Sequence, residues 1–305
     1  MKGLVIKSTG SWYRVRMTNG EEVNARLRGK FKLDNKKITN PIAVGDEVVM
    51  ESQQDEWVIN EIEERKNYII RKSPKKKHFD HLIAANVDQA LMIATLKEPR
   101  TSLGFIDRFL VTLEAYRIPG VIVFNKVDLL DAEGLEEADY LSFIYEKKVG
   151  YPCIKTSFIG GKVPEELSTL LRGKRTLLSG HSGSGKSTLI NLLLPEISQK
   201  TSEISSFSEK GTHTTTFAEM FFLDGETAII DTPGIKELGL SEIEGGELGH
   251  YFPEIREVMN DCRFHNCQHV NEPGCAVKKA LEEGGITQER YYSYLSMLES
   301  DDNRR

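Results

Sequence analysis

The sequence predicts a multidomain chain: a small N-terminal β-barrel, a central α/β domain with a mainly parallel sheet, and a mainly helical C-terminal module organised around a metal. Three observations carry this. Short alternating apolar segments fill the first 65 residues, strand and helix patterns alternate from about 81 to 235, and three of the four cysteines crowd into residues 262 to 275. A chain of 305 residues is long enough for two or three units that each bury a core. The expected divisions are 1–66, a basic linker at 67–80, 81–238 and 239–305.

In the first module, "WYRVRM", "EEVNARL", "VGDEVVM" and "EWVINEIEE" alternate apolar and polar residues between Gly, Asn and Asp turns. Regularly spaced short strands of this kind suggest a five-stranded barrel of the OB type. The segment "RKNYIIRKSPKKKH" follows, and its charge and Pro74 predict an extended linker able to meet phosphates. Residues 1–78 hold 17 Lys/Arg against 11 Asp/Glu, whereas the remainder holds 23 against 35. That asymmetry points to a nucleic-acid-facing module on an acidic body, the alternative being solvated faces.

The central region reads as apolar "ALMIAT", amphipathic "FIDRFLVTLEAYR", apolar "VIVFN", a helix near 135–148, "YPCIKTS", a short helix near 164–171 and then "RTLLSG". Alternation of this type builds a parallel sheet, which gathers ligands at the carboxyl ends of its strands. "GHSGSGKS", Gly180 to Ser187, matches G-x-x-x-x-G-K-[ST] between a strand-like and a helix-like flank. In such a loop Gly180, His181, Ser182, Gly183, Ser184 and Gly185 turn backbone N–H groups toward phosphate. Lys186 reaches the outer phosphates, and Ser187, followed by Thr188, offers a hydroxyl to Mg²⁺. "IIDTPG" ends a strand at Asp231, suited to Mg²⁺, with Gly234 able to reach a γ-phosphate.

"VIVFNKVD" places Asn125, Lys126 and Asp128 at another strand end. A carboxylate at Asp128 can accept from N1–H and the exocyclic amine of guanine, while adenine offers no such pair. Thr156 and Ser157, ending "YPCIKTS", supply a second base contact through backbone N–H groups. The loop "EKGTHTTTF" offers Thr215, or its neighbour Thr214, to complete a Mg²⁺ shell, and His213 to orient water. Ile235 occupies the place where Ras-like enzymes carry a water-orienting glutamine, so intrinsic turnover is expected to be slow.

The C-terminal region carries Cys262, Cys267, His269 and Cys275 in the spacing C-x4-C-x-H-x5-C. Three thiolates and an imidazole form a closed tetrahedral Zn²⁺ set, structural and without an open position; His265 is a rival ligand. Cys153, alone in a strand, reads as a buried thiol. No apolar run approaches the roughly 18 residues of a membrane helix, and the N-terminus lacks a signal-peptide core, so a cytoplasmic protein is expected.

Taken together, these motifs resemble the RsgA/YjeQ family, circularly permuted GTPases of bacterial small-subunit ribosome assembly. The resemblance spans the barrel, N-K-x-D at 125, T-S at 156, the phosphate loop at 180, the threonine loop at 211, D-T-P-G at 231 and the Cys/His cluster. Thr212 departs from it, where a basic residue would precede the histidine. The family implies GTP hydrolysis to GDP stimulated by the small ribosomal subunit, late in that subunit's maturation, with rRNA as partner. A monomer carrying one Zn²⁺, with Mg²⁺ accompanying GTP and no membrane partner, is expected. A nucleotide-stabilised RNA-binding scaffold is the alternative from another functional class.

Overall fold

The computed structural model describes residues 1–28, 40–53, 56–72, 80–195, 218–232 and 245–302. Packing divides them into two compact units. The first holds Met1–Leu91, Phe158–Gly180 and Gly185–Glu237, and the second holds Met92–Ser157, His181–Ser184 and Leu238–Arg305.

In the first unit, β1 (Lys2–Ser8), β2 (Tyr13–Met17), β3 (Glu22–Leu27), β4 (Glu47–Gln53) and β5 (Glu56–Ile62) pair in the order β1-β2-β3-β5-β4. A further β1–β4 pairing closes the barrel, so that each of its five described strands is paired on both sides. Alternation supplies the core: Val5, Tyr13, Val15, Ala25, Val48, Met50 and Ile59 all point inward. The segment expected as an extended linker enters a hairpin, β6 (Tyr68–Lys72) against β7 (Asp80–Ala85), with residues 73–79 outside the described set.

The barrel is fastened to this hairpin by backbone proximity. Gly45 has φ +93°, and a Cβ there would lie 2.0 Å from the carbonyl oxygen of Ala85, so only glycine fits. The next residue, Asp46, is fully buried; it accepts from the Ala43 N–H and, through both oxygens, from Arg65.

The α/β elements follow the expected alternation. They are β8 (Gln89–Thr95), α1 (Leu103–Ala115), β9 (Gly120–Asn125), α2 (Ala132–Phe143), β10 (Cys153–Lys155), α3 (Glu165–Leu171), β11 (Arg175–Gly180), α4 (Lys186–Leu193), β12 (Glu219–Phe222) and β13 (Ala228–Asp231). Every residue of β8 and β9 is buried, the unbroken apolar run of strands covered on both faces. Ser102 starts α1 by accepting from the Phe105 N–H, and Asp131 starts α2 by accepting from the Gly134 N–H. The helix expected near 135–148 changes character at Ile144, where a π-helical turn runs to Val149 and ends at left-handed Gly150. In the first unit β11 and β13 are parallel, β12 is antiparallel to β13, and β12 meets β1 of the barrel.

The second unit closes around α5 (Pro253–Val258), α6 (Ala276–Glu282) and α7 (Gln288–Asp302). Phe252, Ile255, Val277, Tyr291, Tyr294 and Met297 pack with Val111 of α1 into one core. Within "YYSYLSML" Tyr291, Tyr294, Met297 and Leu298 are buried at helical spacing, while Tyr292 faces solvent. Among these apolar groups Arg290 is buried, its guanidinium 2.7 Å from Asp107 and 2.6 Å from Glu254. Tyr145 donates to the same Asp107 oxygen at 2.8 Å. Removing Arg290 would leave the two buried carboxylates uncompensated, a loss of about 3–5 kcal/mol.

Candidate nucleotide and metal sites

The phosphate-loop signature sits between β11 and α4, as strand-then-helix logic requires. Gly185 adopts φ +106° and caps α4, a conformation open to glycine and strained for side chains. Lys186, the first residue of α4, bends back to donate to the Gly180 carbonyl at 2.7 Å. Ser187 and Thr188 are exposed in the first turn, where helix N–H groups have no intrahelical acceptor.

Asp231 ends β13 in parallel register with Leu178 of β11. Burial pushes its carboxyl above the usual range, and the Lys186 ammonium opposes that rise, so the two expected phosphate-and-metal residues sense each other. Hydroxyl and carboxylate oxygens are hard donors, the chemistry Mg²⁺ prefers. His213, Thr214, Thr215, Gly234 and Ile235 lie outside the described residues.

In the second unit β9 delivers Asn125, only 4 % exposed, to the loop residue Ser184: its amide donates to the Ser184 carbonyl at 2.8 Å. Lys126 is left-handed at φ 65° and donates to the Glu98 carbonyl at 2.5 Å. Asp128 is exposed within the 3-10 turn Val127–Leu129. The Thr156 N–H donates to Phe124 and its carbonyl accepts from Val127, so the Thr156-Ser157 pair lies beside the tetrad. Among the described residues Asn125 Oδ1, Thr156 Oγ1 and Ser184 Oγ are buried without hydrogen-bond partners, and polar groups of a nucleotide suit such positions.

The loop residues His181, Ser182, Gly183 and Ser184 belong to this unit, and Gly180, Gly185 and Lys186 to the other. Sequence reasoning missed how the former are braced. The His181 ring stacks on Phe105 of α1 with centroids 3.9 Å apart. Pro99 lies 3.4 Å from where a Gly183 Cβ would sit. Phe105 and Pro99 match no phosphate-loop pattern; only their place at the end of β8 and the start of α1 could have flagged them.

The C-terminal cluster is compact. One ligand atom from each of Cys262, Cys267, His269 and Cys275 lies within 4.8 Å of all the others. Cys262 Sγ and Cys275 Sγ are 4.0 Å apart, and each lies 3.6 Å and 3.5 Å respectively from His269 Nδ1. Metal–sulfur bonds of about 2.3 Å and metal–nitrogen bonds of about 2.0 Å in a tetrahedron require separations close to these. His265 is exposed and outside the group.

Buried tyrosines hold the cluster from behind: Tyr291 donates to the His269 carbonyl at 2.6 Å and Tyr294 to the Gln268 carbonyl at 2.8 Å. Burial lowers the His269 pKa and keeps the ring neutral, the form that ligates. Burial, with the neighbouring thiols, pushes the Cys267 thiol up to about 12. A divalent cation would displace those protons.

Comparison with known proteins follows the same lines. The sequence family described as "RsgA GTPase" matches residues 62–241, and "RsgA N-terminal domain" matches 2–58. The chain is similar to proteins named small ribosomal subunit biogenesis GTPase RsgA. The one from Cytophaga hutchinsonii is 54% identical over 308 residues, covering 100% of both chains, and the one from Bacteroides fragilis is 52% identical over 300 residues, covering 98% of this chain and 96% of that protein. Among solved structures, YjeQ from Thermotoga maritima superposes with a TM-score of 0.80 at 36% identity, covering 100% of this chain and 99% of that one. YloQ, described as a circularly permuted GTPase, gives 0.74 at 30% identity, with 100% and 96% covered.

Proposed function

Because this chain belongs to the RsgA family of circularly permuted GTPases, we infer that it hydrolyses GTP to GDP and phosphate in the maturation of the small ribosomal subunit. The observation that carries the reading is the Asn125 amide donating to the Ser184 carbonyl at 2.8 Å. One side chain thereby ties the strand of the base-reading tetrad to the loop of the phosphate signature, although 59 positions separate them.

In this reading Asp128 accepts from the guanine edge, Asn125 and Lys126 shape the base pocket, and Thr156-Ser157 present backbone N–H groups to it. Gly180, His181, Ser182, Gly183, Ser184 and Gly185 surround the phosphates, and Lys186 leaves the Gly180 carbonyl for the more highly charged phosphate oxygens. Ser187, Thr215 and Asp231 would hold Mg²⁺, with Thr188 and Gly234 beside the phosphates. Mg²⁺ supplies neutralisation of the β and γ oxygens when bound. His213 orients the attacking water in place of the glutamine that Ile235 replaces.

The Cys/His ligands hold zinc, a structural centre with all four positions filled by protein. The barrel and the basic segment at 67–80 meet rRNA phosphates, and the protein acts as a cytoplasmic monomer. Among the described residues no helix is long and apolar enough to cross a membrane. Along the chain, the working division remains 1–66, 67–80, 81–238 and 239–305. Phosphate release from GTP, measured with and without purified small subunits, tests the reading. Stimulation well above the slow intrinsic rate is expected; none would leave a nucleotide-stabilised scaffold.

A further inference from the structure

Four charged residues on four neighbouring strands of the first unit share one row. Arg14 of β2 is the register partner of Lys7 of β1, Lys7 is the partner of Glu219 of β12, and Glu219 is the partner of Asp231 of β13. Directly opposed residues of antiparallel strands project from the same face, with Cβ atoms about 4.5–5.5 Å apart. The side chains confirm the row at its centre: Lys7 Nζ lies 2.7 Å from Glu219 Oε2, and Arg14 Nη1 lies 3.8 Å from Glu219 Oε1. A carboxylate with no part in the phosphate loop is therefore set directly across from Asp231 and is held by two cations of the barrel. Lys7 and Arg14 keep 32% and 46% of their side-chain surface exposed, so an anion arriving on the barrel can reach both.

We propose that Glu219 is a positioning residue whose charge tunes Asp231, and that Arg14 and Lys7 report to it when an RNA phosphate binds the barrel. A phosphate that engages the two cations weakens their hold on Glu219 and leaves more negative charge beside Asp231. Cation affinity at Asp231 rises in consequence. The inference rests on the reading of Asp231 as the carboxylate that serves Mg²⁺. It also gives the barrel a part beyond docking, because β1 is at once a barrel strand and the neighbour of β12.

The test is the Mg²⁺ dependence of binding of a fluorescent GDP analogue, which needs no turnover. Lys7→Met should lower the half-saturating Mg²⁺ concentration and Glu219→Gln should raise it, each roughly three- to ten-fold, as one charge at this range and partial exposure allows. The double variant should return near the wild-type value. A structural role for the ion pair would move both single variants the same way. The pair is partly exposed, Lys7→Met keeps an aliphatic stem and Glu219→Gln keeps the shape, so both variants should fold. Small ribosomal subunits should lower the wild-type midpoint toward that of Lys7→Met while leaving Lys7→Met nearly unmoved. Unchanged midpoints in both single variants, alongside loss of Mg²⁺ dependence in Asp231→Asn, would overturn the inference alone. Retained Mg²⁺ dependence in Asp231→Asn would remove the reading of Asp231 and the inference with it.

Discussion

The phosphate-loop signature and the Cys/His cluster are built in opposite ways. The loop is made mostly of backbone: glycines, the first turn of α4, and a lysine bonded to the loop's own Gly180 carbonyl. The cluster is made of side chains drawn from fourteen residues and backed by the hydroxyls of Tyr291 and Tyr294. Where the binder is a backbone turn stitched into a sheet, loss of one side chain should spare the fold. Where the binder is four side chains amid short helices, the metal and the fold should be lost together.

The largest effect is expected at the cluster. Cys275 is buried, belongs to the Cys/His cluster, and also caps α6 by accepting from the Lys278 N–H. Cys275→Ala should abolish metal binding and unfold the C-terminal module, read as absence of zinc by elemental analysis and loss of the cooperative thermal transition of that region. A variant retaining one equivalent of metal would break the contrast. Lys186→Ala should do the reverse: hydrolysis falling at least about 100-fold through lost transition-state charge stabilisation, with the melting temperature nearly unchanged. A large drop in melting temperature would show that the loop, too, is part of the fold's support.

The next change is expected at Asp128, exposed on its 3-10 turn. Asp128→Asn should weaken GTP by roughly 2–4 kcal/mol, since the amide cannot accept from both guanine donors. Binding of a xanthine nucleotide, which carries a carbonyl in place of the amine, should improve. Competition titrations with the two nucleotides check this, and unaltered guanine preference would move base selection elsewhere.

The contrast also explains what could be read from the sequence. Cys262, Cys267, His269 and Cys275 are close along the chain, so spacing alone locates them. The strand-loop-helix context of Gly180–Ser187 and the buried run ending at Asn125 were legible because each is a local pattern. Arg290 was not, for its partners Glu254 and Asp107 stand 36 and 183 positions away, and it sits within a segment that scans as a polar helix. The pairing of Lys7 with Glu219 spans 212 positions and leaves no periodicity to detect. The hairpin of β6 and β7 was masked by its charges, because "RKNYIIRKSPKKKH" shows the composition of a linker while "NYII" supplies the strand. Local chemistry is written in spacing; long-range pairing is decided by register, which only the folded chain displays.

The smallest effect separates the cysteines themselves. Cys153 stands outside the cluster in β10, its thiol donating to the Tyr151 carbonyl at 3.5 Å. Burial, and secondarily the Glu146 carboxylate, pushes its pKa up to about 12. The folded pKa is raised above the unfolded value near 8.5, so the neutral thiol's contribution to stability is complete below that value and is lost as pH climbs toward 12. At pH 8 the thiolate that reacts is therefore scarce. A chelator that removes the metal should release the fold that shelters Cys262, Cys267 and Cys275, so iodoacetamide should then alkylate those three thiols rapidly and the fourth slowly, with Cys153 identified by peptide mass as the slow one. Its rate should go on rising well above pH 9, where an ordinary thiol levels off. Four equally fast thiols would mean either that β10 opens with the metal module or that Cys153 is not sheltered, and urea-free hydrogen exchange at Ile154 distinguishes the two.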